Sequence, residues 1–290
     1  MNVPLSNMMD RVVFGTVQIG IPYGRRKDDG LCSVVIAESI LEKAWEKGIR
    51  VFDTAQAYGE SSSRLANWLR KTGNLPKAHV VTKVNICDME NTEVLTELVD
   101  PFLGAKSVTL LTHGFVPTVS AWETFGTYAC NNGLHIGQSV YTAEEIWNVN
   151  NLGCEYIQVP GNALDHQQIN AAKACRITSD IRSVFLQGLM LDEPSIAEMR
   201  VPGGGKLAQA AYEISKGLGV STANCLIWSV FSLIGPNDRV VMGADSSDEV
   251  EMWDWVNYQP EIAEKFIVLL GKRVGPFNRE KIMDPRRWTN

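Results

Sequence analysis

Apolar residues in this chain fall into short unbroken runs that alternate with longer segments whose apolar positions recur at helical spacing. The runs lie at 11–15, 49–53, 79–84, 107–112, 134–139, 154–159, 182–186 and 239–243, and each reads as a strand. They are continuously apolar rather than alternating, which suits strands buried on both faces of a parallel sheet covered by helices. Helical patterns follow at 33–47, 61–71, 92–102, 119–130, 143–152, 166–176, 207–216, 223–231 and 248–256. Ser33 and Ser221 are suited to cap helix starts, and Gly48 and Gly73 to end helices. The repetition predicts an α/β fold, a (β/α)8 TIM barrel; a doubly wound sheet shares the same alternation. No linker or low-complexity segment interrupts the pattern, so one domain is expected over 1–290. An irregular tail with one helix is expected from about 259, and the Pro202-Gly-Gly-Gly205 run reads as a mobile loop.

Composition narrows this picture. A length of 290 residues with 45% hydrophobic residues fits one barrel, which commonly needs about 250. No segment approaches the roughly 20 apolar residues of a membrane span, and residues 1–10 lack a basic stretch followed by an apolar one. A cytoplasmic protein with no membrane partner is therefore expected. The net charge of -6 argues against nucleic acid as partner, which requires a basic surface. The short cluster Arg25, Arg26 and Lys27 reads as a solvated loop. Cys32, Cys87, Cys130, Cys154, Cys175 and Cys225 are scattered without a CxxC pair, so reduced thiols and no metal site are expected. The pattern sets no oligomeric state.

In a parallel barrel the chemistry sits at the C-terminal ends of the strands. Strand two ends at Asp53, strand three at Lys83 and strand four at His113, while Tyr58 follows Asp53 by five residues. A carbonyl that accepts hydride needs a proton at its oxygen, and tyrosine can supply it if its pKa falls from about 10. A neighbouring ammonium such as Lys83 would lower that pKa, Asp53 would hold Lys83, and His113 would orient the substrate oxygen. Taken singly, each has a plainer reading: a turn-capping Asp, a solvated Lys, a packed His, a Tyr with a wet hydroxyl. Their convergence from consecutive strands favours chemistry.

The segment Gly48-Ile-Arg-Val-Phe-Asp53-Thr-Ala-Gln-Ala-Tyr58-Gly59, with Val80-Val-Thr-Lys83 and Leu110-Leu-Thr-His113-Gly, resembles the aldo-keto reductase family. The resemblance implies a catalytic tetrad of Asp53, Tyr58, Lys83 and His113. It also implies NADP(H) or NAD(H) as cofactor and a small carbonyl or alcohol as substrate. Gly15 and Thr16 are similar to the family's first-strand loop beside the cofactor. Ser139 and Gln158, with Asp53, match positions around the nicotinamide. Arg182 stands where many members place an aromatic ring against the nicotinamide, and a planar guanidinium can stack there instead. Ser183 and Phe185 fall where members contact the pyrophosphate, and Gln187 and Gly188 beside them are further expected cofactor contacts. Gly243, Ala244, Asp245 and Glu249 fall at the adenosine end, where Asp245, Asp248 and Glu249 replace the basic residues of NADP-preferring members, a tilt toward NAD. Similarity around Gln158 and Phe185-Leu-Gln-Gly-Leu to bacterial polysaccharide-pathway branches implies a sugar-derived substrate. Specificity is expected from 20–30, 115–120 and 277–290. The function so read is an NAD(P)-dependent oxidoreductase; the alternative is a cofactor-binding regulatory or redox-sensing barrel with little turnover.

Overall fold

The computed structural model describes residues 8–275 and 279–288, without the side chains of Arg279 and Glu280. Eight parallel strands close on themselves in sequence order: β1 (Val12–Gly15), β2 (Val51–Asp53), β3 (His79–Val84), β4 (Ser107–Thr112), β5 (His135–Ser139), β6 (Tyr156–Pro160), β7 (Thr178–Arg182) and β8 (Arg239–Met242). β1 pairs with β2 through Val13 and Val51 and with β8 through Val12 and Val240, so no sheet edge remains. The doubly wound reading is excluded by this closure.

Around the strands run α1 (Val34–Glu46), α2 (Ser61–Lys71), α3 (Thr92–Val99), α4 (Val119–Asn131), α5 (Ala143–Asn151), α6 (Gln167–Cys175), α7 (Pro194–Arg200), α8 (Gly204–Leu218), α9 (Thr222–Leu233), α10 (Ser247–Met252), α11 (Pro260–Val274) and the short α12 (Arg279–Ile282). The capping signals act as read: the Ser33 and Ser221 side chains accept from Ile36 N and Asn224 N at the starts of α1 and α9. Gly48 and Gly73 take φ values of +87° and +68°, which glycine adopts without strain.

Side chains on a strand alternate between faces, so residues two apart share one face. Val13, Val51, Val81, Leu111 and Val241 form a small apolar cluster inside the barrel, joined by Tyr156. Two residues further along stand Gly15, Asp53, Lys83 and Gln158, with His113 and Gly243 one residue past β4 and β8. The alternate positions Phe14, Phe52, Val80, Leu110, Ile157 and Ile181 pack outward in the large cluster under the helices. The barrel interior is thus layered, apolar in the middle and polar at the C-terminal mouth.

Three expectations are corrected. The seventh strand is Thr178–Arg182, not 182–186. Ser183, Leu186 and Gln187 take φ values of +67°, +52° and +54°, which cannot continue a strand; the apolar Val184 and Leu186 are buried as loop residues instead. The glycine run at 202–205 is not a loose loop: Gly204 and Gly205 are buried in the first turn of α8. A Cβ on Gly205 would stand 2.6 Å from Pro194 O and one on Gly204 3.0 Å from the Ala197 carbonyl carbon, so the run lets α7 and α8 pack closely. The tail from about 259 opens with the four-turn helix α11, whose Ala263, Phe266, Leu270 and Val274 are buried. Phe277 and Asn290, the ends of the expected specificity tail, lie outside the described residues. Among the described residues no helix is long and apolar enough to cross a membrane.

Candidate active site

The polar layer opens into a cavity of about 480 Å³ at the C-terminal mouth. Lys83 is fully buried beneath it and spends all three ammonium protons: Nζ donates to Asp53 Oδ1 at 2.6 Å, Asp53 Oδ2 at 2.7 Å and the Thr54 carbonyl at 3.0 Å. Gln158 Nε2 donates to the same Asp53 Oδ1 at 2.8 Å. Burial pushes the Asp53 carboxyl up and the Lys83 ammonium down, each opposed by the other's charge. Thr16 stands to one side, hydrogen-bonded to Asp53 O at 2.7 Å and paired with the Ser61 hydroxyl at 2.5 Å.

Tyr58 sits on a turn after β2, over Lys83: Nζ lies 4.9 Å from the centre of the phenol ring. Its ring meets the His113 imidazole edge-on, centroids 6.0 Å apart at 87°. The expectation that Lys83 depresses the Tyr58 pKa is not met in this state. Burial, reinforced by the Asp53 charge, holds the phenol above its ordinary value, while Arg182 pulls it down. Desolvation is the larger effect, and the Lys83 charge is offset by Asp53 at 2.6 Å. His113 is lowered to about 4, by burial first and then by the Lys83 and Arg182 charges, so the imidazole is neutral at neutral pH.

Of the other residues singled out from the sequence, Gly15, Gln158, Arg182, Ser183, Phe185, Gln187, Gly188, Gly243, Asp245 and Glu249 line the same cavity. Ser139 and Ala244 are buried beside it without lining it. The left-handed backbone at Ser183 and Gln187 therefore falls on the cavity rim, where strained conformations are commonly functional. Phe185 and Trp253 form an aromatic wall, centroids 6.2 Å apart.

The Arg25-Arg26-Lys27 cluster is not simply a solvated loop. Arg25 lines the cavity and pairs with Asp192 at 3.0 Å and Glu249 at 2.7 Å, and Arg26 Nη1 donates to Asp245 O at 3.3 Å. Glu249 also accepts from Asp245 N at 2.8 Å. Burial raises Asp245 to about 6, with Glu249 adding to the rise. Tyr23 and Arg25 line the cavity from the 20–30 segment where specificity was expected, whereas sequence reading missed Gln18 and Tyr141, which line it from connecting segments that carry no motif. It also missed the polar floor, where Arg239 donates to Asp180 at 2.7 Å and Tyr156 donates to the same carboxylate. The parity of Tyr156 with Gln158, and of Asp180 with Arg182, was the available signal.

Three observations bear on a bound cofactor. Ser139 Oγ, Gln158 Oε1 and Gln18 Oε1 are buried without a hydrogen-bond partner in the described structure, which is costly unless a ligand satisfies them. Gly243 leaves a cradle, since a Cβ there would stand 2.7 Å from Gln18 Nε2. Ser139 and Gln158 are register partners on β5 and β6, so a donor and an acceptor are presented together to a planar amide.

Residues 11–100 match the Aldo/keto reductase family. The matched stretch runs from β1 through α3 and holds Asp53, Tyr58 and Lys83; His113 lies beyond it. Among solved structures, a glycerol dehydrogenase from Gluconobacter oxydans superposes with a TM-score of 0.70 at 17% identity, over 92% of this chain and 94% of that one. An aldo-keto reductase from Klebsiella pneumoniae in complex with NADPH gives 0.63 at 13%, over 94% of each chain. One from Brucella melitensis gives 0.64 at 16%, over 89% and 93%. No curated protein matches the sequence. At these identities the structures establish a shared fold across nearly the whole chain.

Proposed function

We propose that the protein is an NAD(P)-dependent oxidoreductase that interconverts a carbonyl and an alcohol. The observation that carries this is the meeting of Tyr58 with a neutral His113 over the buried Lys83–Asp53 pair. The family match over 11–100 and the neighbours solved with NADPH support the same reading. The orphaned oxygens of Ser139 and Gln158 fit a nicotinamide carboxamide, and Ser183, Phe185, Gln187 and Gly188 would hold the pyrophosphate. Gly243, Asp245 and Glu249 would face the adenosine ribose. When bound, the reduced nicotinamide supplies the hydride for carbonyl reduction.

The protein's own part is to bind the carbonyl and deliver a proton. Tyr58 donates its phenolic O–H to the carbonyl oxygen, and the neutral His113 hydrogen-bonds the same oxygen and fixes its direction. Burial keeps the Tyr58 proton in place until charge develops on that oxygen. The Lys83 ammonium beneath the ring then stabilises the tyrosinate, and Asp53 keeps Lys83 charged and oriented. In oxidation Tyr58 is the base. The finer reading is a sugar-derived substrate, supported by the polyol chemistry in the name of the Gluconobacter neighbour. A preference for NAD over NADP is supported by Asp245 and Glu249 standing where a 2′-phosphate would need cations.

The test pairs fluorescence titration with NADPH and NADH with turnover of small aldehydes by the wild type and Tyr58→Phe. Cofactor binding retained in the variant, with turnover lower by about 10²- to 10⁴-fold, is expected. Binding without turnover of any carbonyl or alcohol would move the assignment to a redox-sensing barrel. Absence of binding would overturn it.

A further inference from the structure

The charged side chains facing into the barrel are Asp53, Lys83, Asp180, Arg239 and Arg182. The first four cancel in two ion pairs, Lys83 with Asp53 at 2.6 Å and Arg239 with Asp180 at 2.7 Å. The last, at the C-terminal end of β7, has no carboxylate partner among the described residues. It is also alone among the cavity's cations in this respect, because Arg25 is held by Asp192 and Glu249. One of the Arg182 N–H groups, on Nη2, donates to the Val140 carbonyl at 3.3 Å. A guanidinium carries five such donors, so four remain.

Tyr141 fixes where they point. The Arg182 Cζ lies 4.1 Å from the centre of the Tyr141 ring, and Arg286 Cζ lies 3.7 Å from the same centre. Arg286 is neutralised by Asp284 through bonds of 2.8 and 2.7 Å. Arg182, which lines the cavity with Tyr141, has no such carboxylate among the described residues. The ring contact and the Val140 bond together hold the Arg182 charge at the cavity wall. The charge reaches the reacting groups, opposing the rise at Tyr58 and adding to the fall at His113. A half-buried cation with uncommitted planar donors, beside the group that protonates the carbonyl, is a site for an oxyanion.

We propose that Arg182 is a substrate-binding residue that pairs with an anionic group, so the preferred substrate is a carbonyl compound carrying a carboxylate or phosphate near its carbonyl. The proposal rests on the oxidoreductase reading and deepens it: Tyr58 and His113 take the carbonyl oxygen, and Arg182 takes the anion. Tyr23, lifted to about 12 chiefly by burial, stays neutral beside them and adds no competing negative charge.

The test uses matched aldehydes: benzaldehyde against 4-carboxybenzaldehyde, and glyceraldehyde against glyceraldehyde 3-phosphate. The wild type is expected to favour the anionic member of at least one pair by about 10- to 100-fold in kcat/KM, as a charge-assisted pair warrants. The pair that shows the preference distinguishes carboxylate from phosphate. In Arg182→Met the ratio should fall to near unity, mainly through KM of the anionic member, and Arg182→Lys should restore part of it. Calorimetry with benzoate, with and without NADPH, is a readout independent of turnover. If the carboxylate pair shows the preference, benzoate should bind the wild type and binding should be lost in Arg182→Met; if the phosphate pair does, inorganic phosphate replaces benzoate as the probe. A wild type that prefers the anionic member of neither pair, or that fails to bind the probe matching its preferred pair, overturns the proposal. So does an Arg182→Met variant that loses cofactor affinity while its anionic-to-neutral ratio stays unchanged, because Arg182 would then serve the cofactor. Failure of the oxidoreductase reading has a separate signature, the absence of NADPH and NADH binding.

Discussion

Replacing Lys83 by methionine tests how the barrel mouth holds its charge. In the native protein Nζ closes three hydrogen bonds, two to Asp53 and one to Thr54 O. Lys83→Met keeps most of the stem's volume but leaves a carboxylate that is 3% exposed with only the Gln158 amide to satisfy it. Breaking a buried pair on one side typically costs about 3–5 kcal/mol, whereas replacing both partners by apolar groups is often near neutral. The double variant Asp53→Leu/Lys83→Met orphans Gln158 Nε2, worth about 1–3 kcal/mol. It should therefore be more stable than Lys83→Met alone by about 1–3 kcal/mol, despite carrying one more substitution. A pH signature follows. Without its cation the buried Asp53 has a folded-state pKa above its unfolded value, so the folded state binds the extra proton. Stability of Lys83→Met then falls as pH rises through that raised pKa, and the variant is closer to wild type at pH 5 than at pH 8. Urea unfolding followed by tryptophan fluorescence at both pH values measures this. A single-variant cost below about 1 kcal/mol, or a double variant less stable than the single, would refute the argument.

Gly20→Ala should be damaging although Gly20 has an ordinary φ of -118°. The new Cβ would meet the Tyr58 carbonyl and stand 2.5 Å from Ser61 N, so a cost of about 2–3 kcal/mol is expected, with turnover reduced as Tyr58 shifts; thermal unfolding and aldehyde reduction check it, and an unchanged Tm refutes it. His113 is held neutral down to about pH 4 in the folded protein, whereas the unfolded chain takes up its proton near 6.5. The contribution of His113 to stability is thus lost as pH falls from about 6.5 toward 4, and His113→Gln should flatten that part of the stability profile in urea titrations. Asp245, raised to about 6, should lose its charge between pH 7 and pH 5.5. Any preference for NADH over NADPH in fluorescence titrations should narrow over that interval, and Asp245→Asn should remove the pH dependence.

The positions of the tetrad were legible because they depend on local rules: a strand's parity, its C-terminal end, and a turn that returns Tyr58 above Asp53. β3, β4 and α2 begin and end where the hydrophobic pattern put them. β7 was misplaced because Thr178-Ser-Asp-Ile-Arg182 is polar for a reason outside its own sequence. Ser179 bonds to Asp238, and Asp180 is neutralised by Arg239 from the next strand, which makes a polar strand stable in the interior.

By itself, then, the sequence determined the alternation of strand and helix, the caps, and which polar residues could stand at strand ends, because each is set by neighbours a few residues away. The tertiary structure decided what depends on pairs distant along the chain. It chose closure over an open sheet by joining β1 to β8, and it brought Arg25 onto Asp192 and Glu249. It committed all three Lys83 protons below Tyr58, and it left Arg182 as the cavity cation that no carboxylate in the described structure balances. Charge balance is a property of the assembled interior, since a cation's partner is whatever the fold places within about 4 Å of it.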